Sequence, residues 1–175
     1  MLKNIATAVV GIILFFLVFV WTRPASFRVE RSAVINAPAA KIFPLINDFR
    51  SWGAWSPWER IDRDMQRNYI GPLTGPGSAY EWSGNEKIGK GRMEITATTP
   101  PSKLVVDLHF IEPFEARNTA EFTLVPQGES TKVTWAMYGP NSFMSKFMGL
   151  FMDVDKMIGD KFEAGLGYLK ALAEQ

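Results

Sequence analysis

The chain has 175 residues, of which 47% are hydrophobic and 21% charged, and its formal net charge is +1. This balance is typical of a globular protein, because disordered chains combine few apolar residues with a high net charge. Nucleic-acid-binding proteins usually carry a basic excess, so no nucleic-acid partner is expected. The absence of cysteine excludes disulfides, thiolate metal ligands and cysteine nucleophiles.

The first predicted element is one N-terminal transmembrane helix, within an anchor segment of residues 1–24. The run from Ile5 to Trp21 contains no charged residue. About 17 residues at about 1.5 Å each reach about 25 Å, near the lower limit for crossing a bilayer core of about 30 Å. Arg23 can reach the interface and Pro24 ends the helix. We therefore expect a single-pass membrane protein.

Two alternatives to the anchor stay open, a cleaved signal peptide and a buried core helix. A signal peptide has a shorter apolar core and a small-x-small cleavage site, and the residues after Trp21 offer no such site. By the positive-inside rule, Arg23, Arg28 and Arg31 favour a cytoplasmic domain. Because Arg28 and Arg31 also fall in a predicted strand, the side of the membrane stays open.

Residues 25–175 have the usual size of one domain, and they begin with a strand. Between Phe27 and Ile35 apolar residues alternate with polar ones, except that Arg31 falls on the apolar face. This pattern predicts a half-buried strand. A short apolar helix that reaches Ile46 is predicted to follow.

The next segment, Ser51–Arg60, contains Trp52, Trp55 and Trp58. A glycine and a proline make it irregular. It could form a lid, a membrane-facing patch or a plug of the core, and we favour structural packing. A pocket mouth near the membrane is the alternative, because an anchored domain could then take an apolar ligand directly from the bilayer.

From Met65 to Gly139 the pattern predicts about six antiparallel strands joined by short turns. The sequence Ser83-Gly84-Asn85 is typical of a hairpin turn. The segment Lys103–Ile111 alternates most regularly, with apolar residues on one face and polar residues on much of the other. We therefore expect one face of the sheet to be buried.

After Gly139 the apolar period changes from two residues to about 3.6. The apolar stripe runs from Phe147 to Leu169 and predicts one long helix that ends near Ala173. Several glycines lie in this stretch, and glycine is unfavourable inside a helix. We therefore expect a bend or a close backbone contact somewhere along it.

Together the elements predict an α+β protein. Its curved antiparallel sheet of about seven strands would wrap around a long C-terminal helix, with one transmembrane helix before the domain. A curved sheet that wraps around a helix can leave a space between the two layers.

This element order resembles the helix-grip fold of the SRPBCC superfamily, which includes START lipid-transfer domains, pollen-allergen-like proteins and polyketide cyclases. The chain is most similar to the bacterial polyketide cyclase/dehydrase-like branch. The resemblance spans Arg31 to Glu174 and rests on the stretches RSAVINAPAAKIFPLINDF, WGAWSPW, GKGRMEIT, TKVTWAMYG and FMDVDKMIGDKFEAGLGYLKALAE. It implies an apolar cavity rather than a fixed catalytic set, because members share a fold more than a function.

The inward faces of the strands and of the C-terminal helix hold the candidate ligand-binding residues. Their mixture of Trp, Tyr and Met suits an adaptable apolar pocket, and the resemblance implies such a cavity. The alternative is that each of them is plain core. The predicted set is Tyr80, Trp82, Met93, Ile95, Val106, Leu108, Phe110, Phe122, Trp135, Met137, Phe151, Ile158 and Phe162.

No catalytic residue, cofactor or metal site is predicted. His109 is the only histidine, and it should point outward because it alternates with inward residues. Tyr80 and Arg31 are the polar residues that could point inward. The carboxylates of the strands and of the C-terminal helix are expected in solvent, and they are Glu81, Glu94, Asp107, Glu121, Asp153, Asp155 and Asp160.

The sequence therefore favours a membrane-anchored binding or carrier domain for a hydrophobic small molecule, such as a lipid, a quinone or a polyketide-like compound. One alternative is an enzyme of the cyclase or dehydratase type, which needs at least two convergent polar groups in the cavity. The other is a ligandless interaction module at the membrane, with a collapsed core and an exposed apolar patch. The sequence identifies no protein partner.

Overall fold

The computed structural model describes residues 2–175, apart from the side chains of residues 2, 3, 5–10, 13, 144 and 148. The helices are α1 (Leu2–Trp21), α2 (Ala39–Asn47), α3 (Trp52–Trp55), α4 (Phe143–Met148) and α5 (Val154–Ala173). Two single 3₁₀ turns, Phe49–Ser51 and Trp58–Arg60, flank α3. The strands are β1 (Ser26–Ile35), β2 (Gln66–Ile70), β3 (Ala79–Ser83), β4 (Lys90–Thr99), β5 (Lys103–Glu112), β6 (Ala116–Gln127) and β7 (Ser130–Pro140).

The seven strands form one antiparallel sheet in the order β1-β7-β6-β5-β4-β3-β2. Consecutive strands from β2 to β7 are neighbours. Strand β1 forms the far edge by pairing with β7, with Ser26 opposite Pro140 at one end and Ile35 opposite Thr131 at the other. The β4–β5 register shifts near Lys90 and between Ile95 and Ala97, and such irregularities increase the local bend and twist of a sheet. The predicted α+β architecture, with a curved seven-stranded sheet and a C-terminal helix, is confirmed.

Helix α5 covers the concave face of the sheet with an apolar stripe. Phe162, Leu166 and Leu169 recur at intervals of three and four residues and are almost completely buried. Gly165 lies against the sheet side of this stripe, where an added Cβ would meet the Trp135 ring at 2.8 Å. The close backbone contact expected from the glycine content is therefore present.

The prediction of one continuous C-terminal helix is wrong, because the segment forms two helices. Ser142 caps α4 by accepting a hydrogen bond from the Ser145 backbone N–H at 3.1 Å. Asp153 caps α5 in the same way, accepting from the Lys156 N–H at 2.9 Å. The apolar spacing continues across the break at Gly149, but a capping side chain satisfies the free N–H groups of a new helix start.

Helix α1 forms over nearly the whole of the predicted anchor, and its end contacts α4. The rings of Phe16 and Phe147 meet edge to face at 6.2 Å between centroids, and Val20 is completely buried. Among the residues that the structure describes, no helix combines the length and the hydropathy needed to cross a membrane. The transmembrane part of the predicted fold is therefore not supported, and several of its side chains lie outside the described residues.

Candidate functional site

A cavity of about 340 Å³ lies between the sheet and the first half of α5. Its volume falls at the lower end of the range of roughly 300–1,000 Å³ that is usual for ligand pockets. Strands β3 to β7 form one wall, the segment Trp52–Ile61 forms a second, and Ile158 and Phe162 of α5 complete it. Most of the lining side chains are apolar, so the space favours an apolar guest.

Most of the predicted ligand-binding residues are brought together around this space. Ile95 and Phe122 are not among them. Both are completely buried, and the Phe122 ring packs against Trp55 and Trp135. Phe151 is 69% exposed and lies in the break between α4 and α5. The predicted residues that line the cavity are Tyr80, Trp82, Met93, Val106, Leu108, Phe110, Trp135, Met137, Ile158 and Phe162. Ligand binding by these residues stays a prediction.

The tryptophan segment has two roles in the structure. The indole N–H groups of Trp52 and Trp55 donate to the backbone oxygens of Ile46 and Leu45, each at 3.0 Å. Both rings are buried, and Trp55 is completely so. The predicted structural packing is therefore confirmed for these two. Trp58 is half-buried, packs edge to face on Trp135 and Phe162, and lines the cavity together with Trp52.

Trp135 lies where the filled core meets the cavity. Its ring stacks on Phe162 at 4.3 Å and on Phe122 at 4.9 Å between centroids. Its Nε1 is the one buried side-chain nitrogen or oxygen without a hydrogen-bond partner among the residues that are described. Trp135 therefore contributes apolar ring surface to the wall, while its polar atom is closed off from solvent.

One rim of the cavity is formed by two turns of the sheet. Lys87 belongs to the β3–β4 turn, Glu112 is the last residue of β5, and Pro113 and Phe114 belong to the β5–β6 turn. All four are exposed, Phe114 to 72%. These turns were not predicted as part of the site, because residues in a turn follow no periodic pattern that assigns them to a face.

Polar side chains also reach the cavity wall, and they meet at Glu59. The Tyr80 hydroxyl donates to Glu59 Oε1 at 2.6 Å, and Arg67 Nε donates to Glu59 Oε2 at 2.8 Å. The Glu59 side chain is only 7% exposed. Burial, followed by the hydrogen bond to Glu59, raises the pKa of the Tyr80 hydroxyl far above its ordinary value. Tyr80 is therefore neutral at any physiological pH.

Sequence reasoning singled out Tyr80 but missed Glu59. Glu59 lies in the 3₁₀ turn Trp58–Arg60, which follows neither a helical nor a strand period. The signal that could have found it is its position directly after Trp58, in a segment whose three tryptophans already indicated burial.

Arg31, the other polar residue expected to point inward, contacts α5 and not the cavity. Its Nη2 donates to Asp155 Oδ2 at 2.8 Å, and its Nε donates to Glu163 Oε1 at 3.0 Å. The hydrogen bond from Arg31 lowers the pKa of Asp155. The guanidinium lies directly against Gly159, where any Cβ would collide with it. Arg31 thus fixes the start of α5 on β1.

Several of the remaining carboxylates form surface ion pairs, and the histidine lies beside another carboxylate. Glu81 and Glu94 both bind Arg92 on the outer face of the sheet, at 2.8 and 2.9 Å. Asp107 pairs with Arg117 at 3.3 Å. His109 is partly exposed and lies 3.2 Å from Glu115. Within the described part of the chain, no three His, Cys, Asp or Glu residues are grouped in a way that could hold a metal ion.

Residues 26–174 match the model of a protein family described as "Polyketide cyclase / dehydrase and lipid transport". No match was found among curated protein sequences.

Several solved structures share the fold. Protein CV1439 from Chromobacterium violaceum is 14% identical, with a TM-score of 0.60, and the match covers 87% of this chain and 99% of that one. The di-domain ARO/CYC protein BexL from the BE-7585A biosynthetic pathway is 15% identical, with a TM-score of 0.63 over 90% of this chain and 53% of that one. The major latex-like protein 151 of Panax ginseng is 12% identical, with a TM-score of 0.58 over 87% and 100%. At these identities the likeness shows the fold alone.

Proposed function

Since its residues 26–174 match the family model, the chain belongs to the polyketide cyclase/dehydrase and lipid transport family, and we propose that it binds or carries a hydrophobic small molecule. The observation that supports this function is the apolar cavity of about 340 Å³ between the sheet and α5. Burial of apolar ligand surface is worth roughly 25 cal/mol per Å². A lipid, a quinone or a polyketide-like compound would gain affinity in this way.

The test begins with the purified full chain, which is extracted with organic solvent and examined by mass spectrometry for a co-purified apolar molecule. The variant Ala120→Leu then narrows the cavity, because Ala120 is a buried part of its wall. We expect the variant to bind the extracted compound at least about tenfold more weakly and to stay folded.

The matched control is Ala97→Leu. Ala97 is exposed on β4 and does not line the cavity, so this variant should bind as the wild type does. If nothing is extracted and added apolar compounds bind equally to Ala120→Leu and to the wild type, the carrier function is wrong.

A second candidate function is an enzyme of the cyclase or dehydratase type. It is supported by two polar groups on the cavity wall, the Glu59 carboxylate and the Tyr80 hydroxyl, which are 2.6 Å apart. The Glu59 carboxylate could accept a proton from the carbon next to a carbonyl and return it to the departing hydroxyl group, which then leaves as water, while Tyr80 orients the carboxylate through its hydrogen bond. The test of the enzymatic function is to incubate the protein with a β-hydroxy thioester and to follow the loss of water by mass spectrometry. The loss should occur with the wild type and be abolished in Glu59→Gln.

Attachment to a membrane, with a domain boundary near residue 24, stays a prediction that rests on the uncharged run from Ile5 to Trp21. Its test compares the full chain with a chain that starts at residue 25. If both are released equally from sedimented membranes by alkaline carbonate, the anchor is wrong.

A further inference from the structure

The cavity wall is apolar except at a few positions, and the most buried charged group among its lining residues is the Glu59 carboxylate. Tyr80 lies beside it on β3 and is 2% exposed. We call Glu59 and Tyr80 the polar end of the cavity. A carboxylate buried in this way needs a counter-charge and hydrogen bonds, because isolated buried charge is strongly unfavourable.

Arg67 supplies the counter-charge from outside the cavity. Its Nε donates to Glu59 Oε2 at 2.8 Å, and its Nη1 donates to the backbone oxygen of Met65 at 2.7 Å. Arg67 does not line the cavity. Its guanidinium is therefore committed to Glu59 and to the backbone, and it offers no donor to a guest molecule.

The hydrogen-bonding capacity that remains at the polar end is of one kind. Each carboxylate oxygen can accept about two hydrogen bonds, and each Glu59 oxygen receives one from the described residues, from Tyr80 or from Arg67. The Tyr80 hydroxyl uses its hydrogen on Glu59, so that its own oxygen can only accept. The polar end can accept hydrogen bonds from a guest, but it has none to give.

We propose that Glu59 and Tyr80 select an apolar ligand that carries a hydroxyl group, and that this hydroxyl donates a hydrogen bond to the polar end of the cavity. The inference rests on the proposed binding function and goes beyond it by naming the chemical group that is recognised. The high pKa of Tyr80 supports it, since the phenol keeps its hydrogen on Glu59 across the physiological pH range.

Three small aromatic probes test the selection by isothermal titration calorimetry on the full chain. They are naphthalene, 2-naphthol and 2-methoxynaphthalene. Only 2-naphthol can donate a hydrogen bond, and its size lies between those of the other two, so that a preference for it is not a preference for size. A hydrogen bond to a charged acceptor is among the stronger ones in proteins. We expect 2-naphthol to bind about tenfold more tightly than either of the other probes.

The variant Glu59→Gln changes the direction of the hydrogen bonds. The oxygen of the new side-chain amide is expected to stay with Arg67, so the amide N–H would donate to Tyr80 and release the Tyr80 hydroxyl hydrogen toward the cavity. The preference of 2-naphthol over 2-methoxynaphthalene should then fall to less than about twofold, because both oxygens can accept from Tyr80. The matched control is Tyr69→Phe. Tyr69 stacks on Tyr80 at 5.1 Å between centroids but does not line the cavity, so its variant should keep the wild-type preference.

The outcomes distinguish a failure of the hydroxyl selection from a failure of ligand binding in the cavity. Tight binding of 2-naphthol that depends on Glu59 supports the selection. Equal binding of all three probes to the wild type overturns the selection and leaves the apolar cavity function standing. If no probe binds the wild type, the cavity function fails and the selection fails with it. Should Glu59→Gln not fold, the comparison of the three probes on the wild type still decides.

Discussion

The two halves of the layer between the sheet and α5 are packed in different ways. In the half under α2 and α3, Trp55, Phe122 and Trp135 contact each other at 4.9–6.0 Å between ring centroids, and all three side chains are buried. In the other half, Leu108 and Phe110 face the cavity. The difference follows from how much of the sheet the helices cover. Helix α2, most of α3 and the end of α5 lie over the first half, whereas the second half is reached by the start of α5, the segment Ser56–Ile61 and the Trp52 ring. The cavity lies over the part of the concave sheet face that few other elements cover.

The largest effect on stability is expected from a pair of Phe→Ala variants, one in each half, made separately. Phe122→Ala should lower the free energy of unfolding by about 3–5 kcal/mol, because it removes a completely buried ring from close packing. Phe110→Ala, on the neighbouring strand, should lower it by only about 1–2 kcal/mol, because that ring already borders empty space. Urea unfolding followed by circular dichroism measures both. Equal losses would contradict the division into a filled half and an open half.

A second comparison uses two glycines of α5. A Cβ at Gly165 would lie 2.8 Å from the Trp135 ring and 3.0 Å from Pro57, while a Cβ at Gly167 would meet nothing within 4 Å. Gly165→Ala should therefore lower the free energy of unfolding by about 1–2 kcal/mol through overpacking of the filled half. Gly167→Ala should raise it by about 0.5–1 kcal/mol, because alanine favours a helix more than glycine does. Thermal unfolding shows whether each substitution raises or lowers the stability. Stabilisation by both substitutions would show that the filled half can accommodate an added methyl group.

The smallest effect concerns the start of α5, which an ion pair holds beside the open half. The pKa of Asp155 is lowered, mainly by its hydrogen bond from Arg31. The folded state therefore favours the ionised carboxylate. Its contribution to stability is present above about pH 4 and is lost as the pH falls through the lowered pKa. The effect is small because the Asp155 side chain is 60% exposed.

Asp155→Asn provides the matching measurement. The free energy of unfolding, followed from about pH 5 to about pH 3, should decrease less steeply in the variant than in the wild type. The difference should shrink in about 1 M salt, which screens exposed charges. An identical slope in both proteins would show that this pair does not hold α5 in solution.

The fold could be predicted from the sequence because its strands and its last helix have long, regular apolar patterns. The alternation in Lys103–Ile111 identifies β5, and the spacing of Phe162, Leu166 and Leu169 identifies the buried face of α5. Arg31 stood out because it breaks the alternation of β1, and its partners on α5 explain why a charge lies on that face. Regular repetition over many residues is what made these elements readable.

The candidate site was less predictable, because much of it comes from short segments without a period. Glu59 lies in a 3₁₀ turn, and Phe114 lies in the turn between β5 and β6. Phe122 was expected at the cavity because it alternates correctly, yet it points into the filled half. Alternation tells which face of a strand is inward, but it does not tell which elements cover that face.

Four of the six tryptophans in the chain, Trp52, Trp58, Trp82 and Trp135, stand in the cavity wall. Indole emission responds to the polarity and to the molecules in its immediate surroundings. A guest that enters the cavity would therefore change the intrinsic fluorescence of the protein, which makes the chain its own optical sensor of occupancy and needs no attached dye.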